Sequence, residues 1–142
     1  MKKIGALLQD KGRDLWSIGP DASVYEAIEL MAHKGIGAVV VIDAGNPVGM
    51  LSERDYARKV ILKGHSSRDI TVRDIMSSSV IFTDTGKSVE DCMELMTRHR
   101  IRHLPVLENG ELVGMVSIGD LVKTIIDEQK FMIEQLESYI AS

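Results

Sequence analysis

Two seven-residue segments share one pattern of side chains that could bind a ligand. Gly49–Asp55 and Gly114–Asp120 both read Gly-Met-aliphatic-Ser-x-x-Asp. A strand that runs directly into Ser-x-x-Asp places the serine hydroxyl at a helix start, where free N–H groups and the helix dipole favour an anion. The aspartate follows one turn later, and its carboxylate can accept hydrogen bonds from two vicinal hydroxyls. A phosphate and a ribose match these two features.

The glycine of each segment, Gly49 or Gly114, would let a flat base approach the backbone closely. The parts of a nucleotide therefore match the parts of the pattern. A single copy would more simply be a serine N-cap with an aspartate that compensates the helix dipole, worth about 1 kcal/mol. Two copies favour a ligand, and the two interpretations are compatible.

The segments belong to a longer internal repeat. Trp16–Val60 aligns with Ile81–Ile125 without a gap, and thirteen of the aligned pairs are identical. Such self-similarity indicates a duplicated structural unit. We therefore predict an α/β (α+β) fold of two domains: residues 1–70, a lead-in with the first repeat, and residues 71–142, the second repeat with a C-terminal helix.

Each repeat is predicted to run strand, helix, strand, strand, helix. In the first, Ser23 and Glu26 have capping-box spacing before an apolar helical pattern that ends at Gly35. Ala38–Ile42 is typical of a strand buried on both faces, and Val48–Leu51 returns beside it. In the second repeat the predicted elements are the helix Val89–His99 capped by Ser88, the strands Leu104–Leu107 and Leu112–Val116, and a helix that opens near Ser117. The two sheets are expected to pack about a pseudo-twofold axis.

Three further segments complete the predicted elements. A helix that starts at Ser52 or its neighbour and runs through Asp55 to Leu62 closes the first repeat, and Thr71–Met76 is predicted as a short capped helix that leads into the second. Ile4–Asp10 is expected to lead into the first repeat in the same way. Asp120–Ile140 could form one long helix, and its apolar stripe suits either the chain's own core or a partner surface.

Composition narrows the class of protein. The 142 residues carry a net charge of −4 with scattered Lys and Arg, which argues against a nucleic-acid surface. Cys92 is the single cysteine, so that an intramolecular disulfide and a CxxC motif are excluded. No apolar stretch approaches the length of a membrane span, and no signal peptide is apparent. A cytoplasmic protein without a membrane partner is the expectation.

The repeat plan resembles the cystathionine-β-synthase-type (CBS) repeat, whose strands typically lead into Gly-aliphatic-aliphatic-Ser/Thr-x-x-Asp. Ile101–Val106, which reads Ile-Arg-His-Leu-Pro-Val, is similar to the family's approach to its first central strand, and Thr71–Met76 to its lead-in. The resemblance runs from Ile4 to about Ile126. It implies a stand-alone CBS pair, or Bateman module: a non-catalytic regulator that binds adenine nucleotides in clefts between the repeats and signals through a partner or its own dimer.

The resemblance also implies site residues. Asp55 and Asp120 match the ribose-binding aspartate, and Ser52 and Ser117 the hydroxyl beside the phosphate. Arg102 and His103 match basic residues that face phosphate or base, whereas the first repeat has Gly37 and Ala38 there, so that Arg54 and Arg58 would supply the missing charge. The implied nucleotide-binding residues are Ile18, Gly37, Ala38, Ser52, Arg54, Asp55, Arg58, Thr83, Arg102, His103, Pro105, Ser117 and Asp120.

The family binds AMP, ATP, S-adenosylmethionine or NAD, and no catalytic cofactor is implied. AMP is the first choice here, with ATP or NAD as alternatives, because few uncompensated acidic residues lie near either site to hold cationic S-adenosylmethionine. The resemblance further implies a homodimer through the helices after Ser52 and Ser117; a monomer is the alternative. The apolar positions expected at that interface are Val60, Ile61, Val122, Ile125 and Ile126, extended by Met132, Leu136 and Ile140.

Other functions fit the sequence less well. An enzyme that hydrolyses a bound nucleotide would need a metal cluster, an activated nucleophile or a second carboxylate near either aspartate. A scaffold with vestigial pockets is a third hypothesis. His99 and His103 have the four-residue spacing of a metal pair but span a predicted helix-to-strand break, so that no metal site is predicted. Cys92 aligns with Ala27 and is expected to be a small buried residue.

Overall fold

The computed structural model describes residues 2–141, so that Met1 and Ser142, the outer ends of the two predicted domains, lie outside the described residues. In chain order the elements are α1 (Ile4–Lys11), β1 (Ser17–Ile18), α2 (Val24–Lys34), β2 (Ala38–Asp43), β3 (Asn46–Ser52), α3 (Glu53–Tyr56), a π-helical segment (Ala57–Ile61), α4 (Val72–Ile75), β4 (Thr83–Asp84), α5 (Val89–His99), β5 (His103–Glu108), β6 (Glu111–Ser117) and α6 (Ile118–Ala141). This mixed fold with two three-stranded sheets confirms the predicted class.

The predicted helix boundaries follow from local capping chemistry. Ser23 caps α2, since its Oγ accepts the Glu26 N–H at 3.1 Å. Gly35 ends that helix in the left-handed region at φ 65°, where a glycine carries no Cβ penalty. Ser88 begins α5 with a reciprocal capping box to Asp91. These local signals suffice to place both long helices of the repeats.

The middle strand of each sheet is the buried one. The strand orders are β1-β2-β3 and β4-β5-β6, with the first pair parallel and the second antiparallel. Ala38 pairs with Ser52 and His103 with Ser117, so that the repeats share one register. Val39 and Leu104 are fully buried, which confirms the prediction that β2 and β5 are central.

The helix predicted to start at Ser52 or its neighbour and to run through Leu62 differs in its second half. After the single turn of α3 the backbone widens into the π-helical segment. A wider turn rotates the following side chains relative to an α-helix. Val60 is 1% exposed and packs with the core of its unit, so its predicted place on a dimer surface is wrong.

The two lead-in helices, α1 and α4, do not pack on the repeats that directly follow them in the chain. One compact unit is Leu15–Ile81, and the other combines the segments before and after it. In α1 the Ile4 N–H donates to the Lys87 carbonyl at 2.8 Å, and Leu8 is fully buried. In α4 the Val72 N–H donates to the Ala22 carbonyl at 2.9 Å. Each lead-in helix thus completes the core of the other repeat.

The long C-terminal helix α6 has two distinct halves. Leu121 and Thr124 are buried in its own unit, whereas every described residue from Gln129 onward is exposed. The first half therefore packs on the chain's own core and the second half does not. Among residues 2–141, no helix combines the length and apolar character that a bilayer crossing requires.

Candidate functional site

The start of α6 holds the Ser-x-x-Asp pair of the second repeat in reciprocal hydrogen bonds. The Ser117 N–H donates to Asp120 Oδ2 at 2.8 Å, and the Asp120 N–H donates to Ser117 Oγ at 3.1 Å. The pattern forms because β6 delivers Ser117 in an extended conformation directly to the first helical turn. The cap and the candidate ligand site are therefore built from the same atoms.

Lys11, at the end of α1, brings a positive charge to this pair. Its ammonium donates to Asp120 Oδ2 at 2.7 Å and to the Met115 carbonyl at 2.6 Å. Burial raises the pKa of Asp120, but the hydrogen bonds from Lys11 and Ser117 outweigh burial and hold that pKa below 3.8. The carboxylate is thus ionised at neutral pH, and both of its oxygens act only as hydrogen-bond acceptors. Sequence reasoning missed Lys11, which is distant in the chain.

Arg102 and His103 lie beside the same helix start. The Ile118 N–H donates to the Arg102 carbonyl at 2.9 Å, and His103 is the register partner of Ser117. Burial lowers the pKa of His103 below 6.5, and the charges of Lys11 and Arg102 lower it further against the opposing effect of Asp120. Its imidazole is therefore neutral at pH 7. The structure brings four predicted site residues of this repeat together at one place.

The lowered pKa of His103 predicts a pH dependence of stability. Unfolded His103 takes up a proton near pH 6.5, whereas the folded imidazole takes it up only at lower pH. The free energy of unfolding should therefore fall as the pH drops from about 7 to 5.5. Urea denaturation of the wild type and of His103→Gln at both pH values measures this effect.

We expect the His103→Gln variant to lose less stability over that pH window than the wild type does. His65→Gln removes an imidazole from an exposed loop position and is the matched control. Equal pH dependence in His103→Gln and wild type would contradict the assigned environment of His103.

The first repeat has the same pair with a different lysine. Ser52 and Asp55 form a capping box, with Asp55 Oδ2 accepting the Ser52 N–H at 3.0 Å and the Ser52 hydroxyl at 3.1 Å. Lys59 Nζ lies 3.2 Å from Asp55 Oδ1 and donates to the Ile75 carbonyl at 2.9 Å. Lys59 follows Asp55 by four residues, a spacing that makes ion pairs on helices. That spacing was a usable sequence signal for Lys59.

The two carboxylates differ in the acceptor capacity they retain. An ionised carboxylate has about four lone-pair positions. At Asp120 both described contacts, from Ser117 and Lys11, fall on Oδ2; at Asp55 the described contacts occupy both oxygens. The serine hydroxyl acts on its own aspartate in both repeats: the Ser52 hydroxyl donates to Asp55 Oδ2, and a hydrogen bond from the Ser117 side chain helps to lower the pKa of Asp120. The difference between the repeats is therefore the lysine, which contacts Oδ1 of Asp55 but Oδ2 of Asp120. The second repeat is therefore better prepared for a ligand.

The packing of the chain itself explains why glycine is present at positions 49 and 114. A Cβ on Gly49 would lie 2.6 Å from Met76 Sδ and 3.0 Å from the Ser77 carbonyl oxygen, and one on Gly114 would lie 3.1 Å from Leu8 Cδ2. Side chains and backbone of the chain itself already occupy the space beside both glycines. The expectation that these glycines admit a flat base is thus corrected: they admit residues that follow or form the lead-in helices.

The remaining predicted residues are spread more widely. Gly37 lies beside the first pair, since its carbonyl accepts the Glu53 N–H at 3.0 Å, and Ala38 pairs with Ser52. Arg54 is half-buried and Arg58 exposed on the segments after β3, and Pro105 is buried in β5. The structure thus gathers the backbone around Ser52, while ligand roles for Arg54, Arg58 and Pro105 stay predictions.

Two predicted residues lie on the outer strands. Ile18 in β1 and Thr83 in β4 are each separated by a middle strand from the strand that carries the serine. The Thr83 hydroxyl lies 3.1 Å from Cys92 Sγ, and burial raises the pKa of that thiol despite this contact. Cys92 is fully buried, as expected. No group of three or more His, Cys, Asp or Glu side chains in residues 2–141 is arranged for a metal ion.

Comparison with known proteins agrees with this geometry. The CBS domain family matches residues 11–62 and 72–127. A solved structure of a protein with CBS domains from Burkholderia ambifaria is 46% identical, with a TM-score of 0.87, and the match covers 90% of this chain and 96% of that one. The mitochondrial CBS domain-containing protein CBSX3 of Arabidopsis thaliana is 37% identical over 96% of this chain and 71% of its own length.

A more distant structure shares the fold. The CBS domain pair of protein MJ0100, solved in complex with 5′-methylthioadenosine and S-adenosyl-L-methionine, is 19% identical with a TM-score of 0.79, covering 90% of this chain and 98% of that one. Two matched domains, two repeats of one strand order and two Ser-x-x-Asp helix starts lead to one conclusion. This chain belongs to the CBS domain family and carries two CBS domains in tandem.

Proposed function

We propose that this CBS pair is a regulatory adenine-nucleotide sensor, which binds AMP as its first choice and ATP or NAD as alternatives. The observation that carries the proposal is the cluster at the start of α6: the Ser117–Asp120 pair beside Lys11, Arg102 and His103. It combines an ionised acceptor for hydroxyls with donors and cations for phosphate. Regulation without catalysis is the typical role of the family.

The ribose end of the ligand is expected at Asp120. Oδ1 keeps its acceptor positions among the described contacts, so it can receive the vicinal hydroxyls of a ribose while Oδ2 keeps the helix cap. Hydrogen bonds to a charged acceptor contribute about 1.5–3 kcal/mol each. A ligand can therefore bind at this point without dismantling the start of α6.

The phosphate end is expected beside Lys11. Its ammonium lies 2.7 Å from Asp120 Oδ2, and the Ser117 hydroxyl and the neutral imidazole of His103 are further groups at the same helix start that can donate to a phosphate. A second phosphate oxygen could draw Lys11 away from the Met115 carbonyl, where it is exposed to solvent. Positive charge at this point favours an anionic ligand over cationic S-adenosylmethionine.

The distant relative MJ0100 supports the adenosine part of the proposal. Both ligands in its complex, 5′-methylthioadenosine and S-adenosyl-L-methionine, contain adenosine and lack phosphate. The lysine contacts Lys11–Asp120 and Lys59–Asp55 support a phosphate-bearing ligand in this chain. Because Asp120 retains more acceptor capacity than Asp55, the second repeat is expected to bind more tightly.

The signal is proposed to pass through a homodimer or a regulated partner protein. Ile61, Val122 and Ile126 are exposed on the segments that follow the two serines, which suits the helix faces expected at a dimer. A nucleotide can shift the population of two assembly states only through its different affinity for them. A cytoplasmic location also stays a prediction, since the Arabidopsis relative is named as mitochondrial.

Binding and turnover measurements on the purified protein test the proposal. Mass spectrometry of the ligand released on denaturation should find an adenine nucleotide, and calorimetry should rank AMP, ATP and NAD above adenosine, with S-adenosylmethionine weakest. Lys11→Gln should narrow the gap between AMP and adenosine, whereas Arg98→Gln, whose cation pairs with Glu94 on α5, should keep it. Absence of binding by every adenine ligand would overturn the sensor, and conversion of ATP to product would favour the hydrolase.

A further inference from the structure

The exposed side chains of α6 follow the spacing of a coiled coil. Val122, Ile126, Gln129, Ile133, Leu136 and Ile140, which we name the seam, are separated alternately by four and three positions. All six are exposed, and five of them are apolar. Apolar residues at this 3.5-residue period form the contact stripe of two supercoiled helices.

The seam is separate from the face that α6 turns toward its own unit. That inner face holds buried Leu121 and Thr124 and ends at half-buried Glu128, whose Oε1 accepts the Lys2 N–H at 2.9 Å. Beyond it, thirteen residues of α6 extend with no buried side chain in the described chain. At about 1.5 Å per residue this is roughly 20 Å of helix. The fold of the chain itself therefore does not require the seam residues from Gln129 onward.

The exposed apolar area is large enough for a stable contact. The five apolar seam residues are 40% to 81% exposed, and neighbouring Met132 is 64% exposed. These six side chains present on the order of 600 Å² per copy, or about 1,200 Å² for two copies, which is the lower limit of a stable specific interface. A self-complementary stripe of this kind is most simply covered by a second copy.

We infer that the seam pairs with the seam of a second copy as an antiparallel two-stranded coiled coil centred near Phe131. The inference rests on the proposed homodimer, but it places the contact on α6 alone and not on the segments after both serines, and it adds an orientation. In this arrangement Val122 faces Ile140 of the second copy, Ile126 faces Leu136, and Gln129 faces Ile133. Every seam residue is then covered.

Charges beside the seam favour the antiparallel orientation. In the antiparallel pair, Lys123 of each copy lies near Glu137 of the other, which gives two contacts between opposite charges. The two Lys130 side chains also face each other, which gives one contact between like charges. Parallel pairing would instead place Glu137 beside Met132 and Lys130 beside Ile125, with no opposite charges in contact. In the antiparallel arrangement, the parts of the two copies that pack on the first half of each α6 also lie at opposite ends of the paired helices.

Light scattering of the full chain tests the seam. The wild type at micromolar concentration should have twice the 15.7 kDa mass of one chain, and the Ile133→Asp, Leu136→Asp double variant should be monomeric. Phe131→Asp is the matched control, because Phe131 is 63% exposed on the opposite side of α6 and its variant should stay dimeric. A monomeric wild type or a dimeric double variant would overturn the inference.

Disulfide formation tests the orientation. A mixture of Gln129→Cys and Ile133→Cys chains should cross-link, and each variant alone should not, because a disulfide requires Cα atoms within about 7 Å. Cys92 is buried and does not compete. Efficient cross-linking of Gln129→Cys alone would show parallel pairing and overturn the orientation. Neither the light scattering nor the cross-linking uses a nucleotide. A failure of seam pairing can therefore be distinguished from a failure of nucleotide binding.

Discussion

Replacing Asp120 with asparagine should weaken AMP binding by roughly one to two orders of magnitude. The neutral side chain cannot supply the charged acceptor for ribose hydroxyls, and hydrogen bonds to a charged group contribute about 1.5–3 kcal/mol. Titration calorimetry of the wild type and variant with AMP measures the change directly. Asp55→Asn should have a smaller effect, since Asp55 is the more occupied acceptor.

Asp120 also caps α6, so that the experiment needs a control for stability. Asp91 forms the same reciprocal pair with Ser88 at the start of α5, with both hydrogen bonds at 3.1 Å. Asp91→Asn should therefore weaken the same kind of helix cap and leave AMP binding intact. If Asp120→Asn and Asp91→Asn reduce AMP affinity equally, the effect comes from folding and the proposed ribose contact is wrong.

Replacing Leu8 with alanine should lower the free energy of unfolding by about 2–5 kcal/mol, the range for a buried leucine. Leu8 is fully buried and contacts the face of Gly114, so that its loss leaves a cavity beside β6. Urea denaturation followed by circular dichroism measures the change. Leu62→Ala is the control, because Leu62 is 78% exposed and its loss should change stability by no more than about 0.5 kcal/mol.

A second substitution makes this prediction specific. Gly114→Ala places a methyl group 3.1 Å from Leu8 Cδ2 and should destabilise the wild type. In the Leu8→Ala background the same methyl group enters the cavity, so the two changes should not be additive. Additive effects, or equal stability of Leu8→Ala and Leu62→Ala, would contradict the packing of α1 against β6.

Features that depend on neighbouring residues were predictable from the sequence. The caps at Ser23 and Ser88, the left-handed Gly35 and the strands β2 and β5 all arise from residues within a few positions of each other. The Ser-x-x-Asp pattern, present in both repeats, also predicted that the serine pairs with the aspartate at the centre of the candidate site. Short-range physical chemistry therefore accounts for the elements and for the motif.

Features that depend on distant residues were not predictable in this way. Lys11 reaches Asp120 only because α1 packs with the second repeat, and no local pattern reports that packing. The burial of Val60 comes from its packing in the core of its unit, which the local sequence around it does not report. The sequence suggested that Gly49 and Gly114 make room for a ligand base. The residues that occupy the space beside them, Met76 and Leu8, lie elsewhere in the chain.

The discontinuous unit has a consequence during synthesis on the ribosome. Leu15–Ile81 is contiguous and can fold as soon as it emerges, whereas α1 emerges first and has no partner until β4, α5 and β6 follow. At about 5–20 residues per second, the roughly 100 residues from the end of α1 to the end of β6 take about 5–20 s. Throughout that interval Ile4, Leu7 and Leu8 lack the partners that bury them in the folded unit, so that α1 is a natural contact point for a chaperone.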